Sequence, residues 1–144
     1  MGNMQTKKHY INYEDMQYFI KESQNSIIIN TLNENEQKCL IIKTIPITEE
    51  VRIINNNIKK NLDLNIIIYG KNYSDPTIYN KYKQLKNLYF KNVYIYPGGL
   101  FEWLCLQDIF GNELFQTTSD ELDILKYKSK SIMYQTKLLE NPSF

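Results

Sequence analysis

Apolar residues in this chain follow two spacings, one typical of buried strands and one typical of amphipathic helices. Two unbroken apolar runs with polar ends, Ser26–Asn30 and Asn65–Tyr69, predict strands that are covered on both faces. Residues 10–12 and 93–96 predict two shorter strands. Helical spacing predicts helices over residues 15–22, 48–60, 76–89 and 100–109. Strands that alternate with helices predict an α/β domain with a mostly parallel central sheet and helices on both faces.

Two of these helices carry start signals. Thr48 stands where it would cap the second helix, in which Val51 and Ile54 begin the apolar stripe. Asp75 followed by Pro76 predicts that the third helix begins with Asp75 as its N-cap and Pro76 at the first helical position. Proline is tolerated there because the backbone N–H that it lacks would have no hydrogen-bond partner in the first turn of a helix. The sequence thus places Asp75 at the junction between a strand, a loop and a helix.

A chain of 144 residues supports one compact domain with a flanking segment at each end. Residues 1–9 are predicted to be a flexible N-terminal segment, residues 10–110 the domain, and residues 111–144 a C-terminal extension. In the extension, residues 118–121 predict a capping box for a short helix through about residue 125, followed by a polar, basic tail. Such a tail is typical of a poorly ordered terminus or of a segment that binds a partner.

Composition excludes several classes of function. The formal net charge of +1 argues against a nucleic-acid surface, which would carry a marked basic excess. Cys39, Cys105 and the lone His9 are too few for a disulfide framework or a zinc site, so we expect no metal and no cofactor. The apolar runs have strand length and are too short to cross a bilayer. Free cysteines are typical of a reducing compartment, which predicts a cytoplasmic location.

The first eight residues match a lipidation pattern. Gly2 and Thr6 fit M-G-x-x-x-[ST], the pattern for N-myristoylation of Gly2, and Lys7 and Lys8 follow. One acyl chain binds a membrane only marginally, and two lysines near anionic lipid would add to its affinity. The sequence therefore leaves two alternatives open, a peripheral membrane contact through the N-terminus and an unmodified tail.

The most informative segment covers residues 65–103. Its strand ends in Tyr69-Gly70, a six-residue loop and a helix follow, and Gly98-Gly99 then precedes Trp103 with three residues between. This segment resembles the second half of a rhodanese domain, in which the strand ends in a tyrosine and a nucleophilic cysteine and the loop wraps the sulfur. The resemblance covers residues 10–109 and implies the rhodanese-like three-layer fold. It also implies that glycine stands in place of the catalytic cysteine.

Other positions depart from the family pattern. Asn30 and Leu32 stand where the resemblance places an aspartate and an arginine after the second strand. Residues 39–47 stand where the family has an H-I-P-G-A segment, but they lack its histidine and its glycine. The resemblance therefore implies the rhodanese fold without rhodanese chemistry.

The loop after the third strand lacks what sulfur transfer requires. A sulfurtransferase holds a thiolate at the centre of the loop through converging N–H groups and a helix N-terminus. Gly70 has no side chain to carry sulfur, and Asp75 places a carboxylate at the anion site, where Lys71 offers a single flexible ammonium group in compensation. The degenerate active-site loop consists of Gly70, Lys71, Asn72, Tyr73, Ser74 and Asp75.

Three other side chains are candidate nucleophiles. Cys105, among leucines on the last helix, is predicted to be a buried small hydrophobe. Cys39 is predicted to be partly exposed, but no histidine or arginine lies near it in the sequence to activate it. Ser74 beside Asp75 suits a hydrolase, but it also lacks a neighbouring histidine. A sulfurtransferase or hydrolase that uses one of these three residues is the alternative function.

The site is expected beyond the carboxyl ends of the strands, where open parallel sheets bind ligands. Its rim is predicted to include Asn30, Thr31, Gly98 and Gly99, although a glycine pair after a strand more often serves the turn itself. Trp103 is expected to be a core anchor, because the last helix needs an apolar face. The predicted function is that of a catalytically inactive binding, scaffolding or regulatory module with an unknown protein partner.

Overall fold

Helices and strands alternate through residues 9–134, the part of the chain that the computed structural model describes. In chain order they are α1 (Tyr13–Lys21), β1 (Ser26–Asn30), β2 (Thr44–Ile45), α2 (Ile47–Asn57), β3 (Asn65–Tyr69), α3 (Thr77–Asn87), β4 (Asn92–Ile95) and α4 (Gly99–Phe110). Short 3₁₀ turns lie at Glu34–Glu36 and Ile124–Tyr127. The two long apolar runs are strands with the predicted bounds, and the predicted helices are confirmed with ends shifted by a few residues.

The four strands form a parallel sheet in the order β2-β1-β3-β4. β1 and β3 pair along their whole length and end together at Asn30 and Tyr69. Tyr10 makes an isolated parallel bridge to Ile95, so the strand predicted over residues 10–12 is reduced to one bridge. Because the strands run in one direction, the carboxyl ends of β1, β3 and β4 meet at one edge of the sheet.

The sheet separates two apolar layers, because successive strand residues point to opposite faces. One layer lies under α2 and α3, and the other lies under α1, α4 and the chain beyond α4. Trp103 of α4 is fully buried in the second layer, which confirms it as a core anchor. Phe115 and Tyr127, both beyond α4, are buried in the same layer. The arrangement of helices on both faces of a parallel sheet is therefore confirmed, and the chain beyond α4 contributes to its core.

Helix α2 differs from its prediction in the first turn. It begins at Ile47 and no side chain caps it, so the prediction of Thr48 as N-cap is wrong. Ile54 is buried as predicted, but Val51, also predicted in the apolar stripe, is 68% exposed, because the helix turns Glu50 inward instead. Apolar spacing does not reveal this face, since a carboxylate with an ion-pair partner takes one of the inward positions.

The chain beyond α4 returns to the domain instead of forming the predicted short helix. The Thr118 hydroxyl donates to the carbonyl oxygen of Lys38 (2.8 Å) and accepts from the backbone N–H of Leu40 (3.0 Å). A hydroxyl bonded to this distant loop is not available as a helix cap, so the predicted capping box is wrong. The 3₁₀ turn at Ile124–Tyr127 forms where the helix was predicted to end.

The lipidation candidate Gly2 and its neighbours Lys7 and Lys8 lie outside the described residues, and N-myristoylation stays a prediction. Within residues 9–134, no helix has the length and apolar character that crossing a bilayer requires. Helix α4, the longest of α1–α4, has 12 residues, against the roughly 20 that a membrane span needs.

Candidate functional site

A groove opens beyond the carboxyl ends of β1 and β3, where the sequence predicts the site. It has a volume of about 610 Å³ and lies between the loop after β3 and the chain beyond α4; we call it the loop groove. Of the predicted site residues, its lining contains Thr31, Lys71, Asn72, Ser74 and Asp75. The lining residues that the sequence did not predict are Asn33, Pro76, Thr77, Leu125, Lys126, Lys128 and Lys130.

The Asp75 carboxylate lies at the centre of the hydrogen bonding in this groove. Its Oδ1 accepts hydrogen bonds from the backbone N–H (3.0 Å) and the hydroxyl (2.6 Å) of Thr77. Its Oδ2 accepts a hydrogen bond from the Thr31 hydroxyl (3.2 Å). Pro76 already has helical dihedral angles, so Asp75 caps the start of α3 as predicted, although the regular helix begins at Thr77. An N–H group that a bound anion would use is thereby taken by Asp75.

Gly70 and Asp75 compete for the same space. A β-carbon added at Gly70 would lie 2.5 Å from Asp75 Oδ2 and 2.7 Å from the Thr31 hydroxyl oxygen. Separations under 3 Å between such atoms require one of them to move. The Asp75 carboxylate therefore occupies the space that a side chain at residue 70 would need. The sequence does not predict this contact between two positions that are five residues apart.

Gly99 supports the loop from behind. It has φ +67°, and a β-carbon there would lie 2.7 Å from the carbonyl oxygen of Gly70 and 2.9 Å from the backbone nitrogen of Asn72. The first N–H groups of α4 donate to the loop, from Leu100 to Gly70 O and from Phe101 to Lys71 O, both at 2.9 Å. Gly99 thus serves a turn and a close backbone approach, and neither it nor Gly98 lines the loop groove.

Asn30, predicted at the pocket rim, is 1% exposed and holds the turn after β1. Its amide and that of Gln37 exchange two hydrogen bonds (3.1 and 2.8 Å). Asn30 also donates to Ile45 O (3.2 Å) and accepts from the N–H of Leu32 (3.1 Å). Its hydrogen-bonding groups are therefore occupied within the protein, and its role is to position Thr31 beside the groove.

Asn72 ties the loop to the chain beyond α4. Its Nδ2 donates to the carbonyl oxygen of Tyr127 (2.8 Å), and its Oδ1 accepts from the backbone N–H (2.9 Å) and the hydroxyl (2.7 Å) of Ser74. The chain's only histidine, His9, packs its ring against two tyrosine rings of another region. Ser74 thus lacks a histidine base, and Tyr73 next to it is 70% exposed to solvent.

The two cysteines have the opposite exposures to those predicted. Cys39 is 4% exposed, because the chain beyond α4 covers it, and its Sγ donates to the carbonyl oxygen of Ser119 (3.2 Å). Cys105 is only half-buried on α4. Burial raises the pKa of both thiols, and Asp108 adds to the rise of the Cys105 pKa. Neither thiol lines the loop groove, and both are held in the neutral form.

Lysines on two sides make the loop groove basic. Lys71 Nζ lies 3.2 Å from a carboxylate oxygen of Glu36, and Lys126 pairs with Glu121. The side chains of two further lysines, Lys128 and Lys130, are exposed and make no salt bridge with any residue among 9–134. The sequence assigns both lysines to a polar, basic tail, and it does not indicate that this segment lies beside the loop.

Comparison with known proteins finds similarity in structure alone. Neither the protein-family models nor the curated protein sequences contain a match to this chain. The BH2092 protein from Bacillus halodurans is similar at 15% identity and TM-score 0.60, with 94% of each chain covered. The rhodanese-like domain of the Alr3790 protein from Anabaena sp. has 16% identity and TM-score 0.51, with 72% of this chain and 76% of that chain covered.

A third solved structure, thiosulfate sulfurtransferase from Pseudomonas aeruginosa, has 12% identity and TM-score 0.57, with 85% of this chain and 24% of that chain covered. Identities this low show the fold and not the chemistry. The chain has the rhodanese-like α/β fold that the resemblance implied.

Proposed function

We propose that this chain is a catalytically inactive binding or scaffolding module with the rhodanese-like fold, and that the loop groove is its binding site. The observation that carries the proposal is the Asp75 carboxylate, which lies 2.5 Å from where the β-carbon of a side chain at residue 70 would stand. A nucleophile on the loop needs that space. Beside Asp75 the groove stays open, so the site keeps room for a ligand.

The electrostatics of the loop support the same proposal. A thiolate or persulfide in the loop needs a positive potential and free N–H donors around it. Asp75 supplies a negative charge instead and accepts the N–H of Thr77. The cation of the loop, Lys71, is paired with Glu36. Charge and hydrogen bonding therefore both disfavour an anionic nucleophile at this position.

An enzyme that uses another nucleophile has less support. Cys39 and Cys105 have a raised pKa because burial disfavours their thiolate forms. Ser74 donates its hydroxyl proton to an amide oxygen and has no imidazole beside it. A binding module requires no activated nucleophile, and it is consistent with the environment of all three side chains.

The purified chain is expected to form thiocyanate from thiosulfate and cyanide no faster than a blank, because no thiol lies in the loop groove. Colorimetric detection of thiocyanate measures this directly. Activity that persists when Cys39→Ser and Cys105→Ser are combined would show that the proposal misjudges the loop. Activity that disappears with either substitution alone would instead establish the enzyme alternative.

Gly70→Cys is expected not to create an efficient sulfurtransferase. The new side chain displaces Asp75 from its capping position, which costs about 1–3 kcal/mol of stability, and the carboxylate keeps the pKa of the new thiol at or above its ordinary value of about 8.5. In Gly70→Cys/Asp75→Ala the thiol pKa is expected to fall by about one unit or more, because the charge is gone and the N-terminus of α3 is free.

Rates of alkylation against pH, resolved by peptide mass spectrometry, separate the new thiol from the two native cysteines. Gly70→Cys/Asp75→Asn is the matched control, since it keeps the size of residue 75 and removes its charge. A strongly acidic, persulfide-forming thiol in Gly70→Cys alone would contradict the role given to Asp75.

A further inference from the structure

We propose that the loop groove binds a small anion that carries several phosphate groups, and that Lys128 and Lys130 are its principal contacts. This inference rests on the proposed function, in which the groove is a binding site, and it names the class of ligand. It follows from the charge of the groove, from the lysines that have no ion-pair partner among residues 9–134, and from the position of Asp75.

The loop groove carries an excess of positive charge, which comes from Lys128 and Lys130. The whole chain carries a net charge of +1, with 17 basic and 16 acidic residues. Among residues 9–134, the groove lining contains four lysines and one carboxylate, that of Asp75, and two of the lysines are paired with glutamates outside the lining. A concave surface with an excess of positive charge focuses its potential on a bound counter-ion. The lining is therefore suited to an anion although the chain as a whole is nearly neutral.

The lysines differ in their availability to a ligand. Lys71 and Lys126 are held by glutamates that lie outside the groove lining. Lys128 and Lys130 have no such partner among residues 9–134. A phosphate group, with a charge of about −1.5 to −2 and three acceptor oxygens, matches two ammonium groups that line the same groove.

The backbone that carries these lysines is fixed close to the loop. Tyr127, immediately before Lys128, is 1% exposed, and its carbonyl oxygen accepts the hydrogen bond from Asn72. Lys128 itself has extended dihedral angles, and both Lys128 and Lys130 line the loop groove. Anchoring of this kind lowers the entropy that would be lost when a ligand orders the segment.

Asp75 determines which part of the groove an anion can occupy. Its carboxylate repels a phosphate from the centre of the loop and already accepts the N–H of Thr77 at the start of α3. An anion is therefore displaced toward Lys128 and Lys130, at the side formed by the chain beyond α4. The volume of about 610 Å³ is in the range of small-molecule sites, roughly 300–1,000 Å³, and exceeds what a single phosphate needs.

Calorimetric titration of the full, unacylated chain with inorganic tripolyphosphate at low ionic strength tests the inference. Saturable binding is expected, together with weaker binding of orthophosphate. Lys128→Gln/Lys130→Gln is expected to weaken tripolyphosphate binding about tenfold, since each exposed charge contributes a few-fold. Lys60→Gln/Lys83→Gln, which changes the net charge equally at exposed lysines outside the groove, is expected to change it less than twofold.

Absence of saturable binding, or equal losses in the two double variants, would overturn the inference. Vesicles with and without phosphatidylinositol bisphosphate identify the source of the phosphate: binding that requires this lipid assigns the site to a headgroup, and tripolyphosphate binding without vesicle binding assigns it to a soluble ligand. Thiocyanate formation, measured on the same preparation, tests the proposed function separately. Thiocyanate formation would contradict the proposed function whether or not tripolyphosphate binds. Absence of both thiocyanate formation and tripolyphosphate binding would overturn only the proposed class of ligand.

Discussion

A chain that ends after Phe110 is expected not to fold. This truncation removes the predicted extension, and with it the side chains of Phe115 and Tyr127, which are 3% and 1% exposed. Loss of each buried aromatic side chain costs about 3–5 kcal/mol. The indole N–H of Trp103 also loses its acceptor, the carbonyl oxygen of Gln116 (3.1 Å). The combined loss is comparable with the whole stability of a typical domain, about 5–15 kcal/mol.

Near-ultraviolet circular dichroism and thermal unfolding of the truncated chain measure this outcome. The matched control ends after Ser131 and keeps both aromatic side chains. Within the described part of the chain it removes only residues 132–134, which are exposed. The control is expected to unfold cooperatively. A cooperative transition in the chain that ends after Phe110 would contradict the prediction and would support the domain boundary at residue 110 that the sequence suggests.

Gly99→Ala is expected to lower the free energy of unfolding by about 3 kcal/mol or more. A left-handed backbone at φ +67° costs an alanine about 1–2 kcal/mol. The remainder arises because the new β-carbon meets backbone atoms of Gly70 and Asn72 under 3 Å away, and backbone atoms cannot rotate aside as a side chain can. Urea unfolding measures the change.

Gly111→Ala is the matched control for this substitution. Gly111 also has a positive φ, +101°, but a β-carbon there meets nothing within 4 Å. Its cost is therefore conformational alone, about 1–3 kcal/mol, and smaller than that of Gly99→Ala. Equal losses at the two glycines would show that the contact of Gly99 with the loop contributes nothing to stability.

The parts of the fold that depend on local pattern could be predicted. Ser26–Asn30 and Asn65–Tyr69 are unbroken apolar runs between polar residues, and both strands have the predicted bounds. Asp75 was recognised as a helix cap, because capping depends on its own neighbours in the sequence. The resemblance in residues 65–103 then added the fold, which strand and helix order alone leaves open.

The contacts made by the chain beyond α4 could not be predicted. Phe115 and Tyr127 are single apolar residues in a polar segment, so no periodicity marks them as core. The exposure of Cys39 was mispredicted for the same reason, since the cover over it comes from residues about 80 positions away. Lys128 and Lys130 entered the candidate site only through this long-range packing.

The contact between Gly70 and Asp75 means that no single substitution readily places a thiol in this loop. A cysteine at residue 70 meets the carboxylate that is already there. Replacement of Asp75 first removes a helix cap, at a cost of about 0.5–2 kcal/mol, before any thiol exists to benefit. Each change is unfavourable until the other is present, so we expect single substitutions that keep both Gly70 and Asp75 to be tolerated more readily than those that place a thiol in the loop.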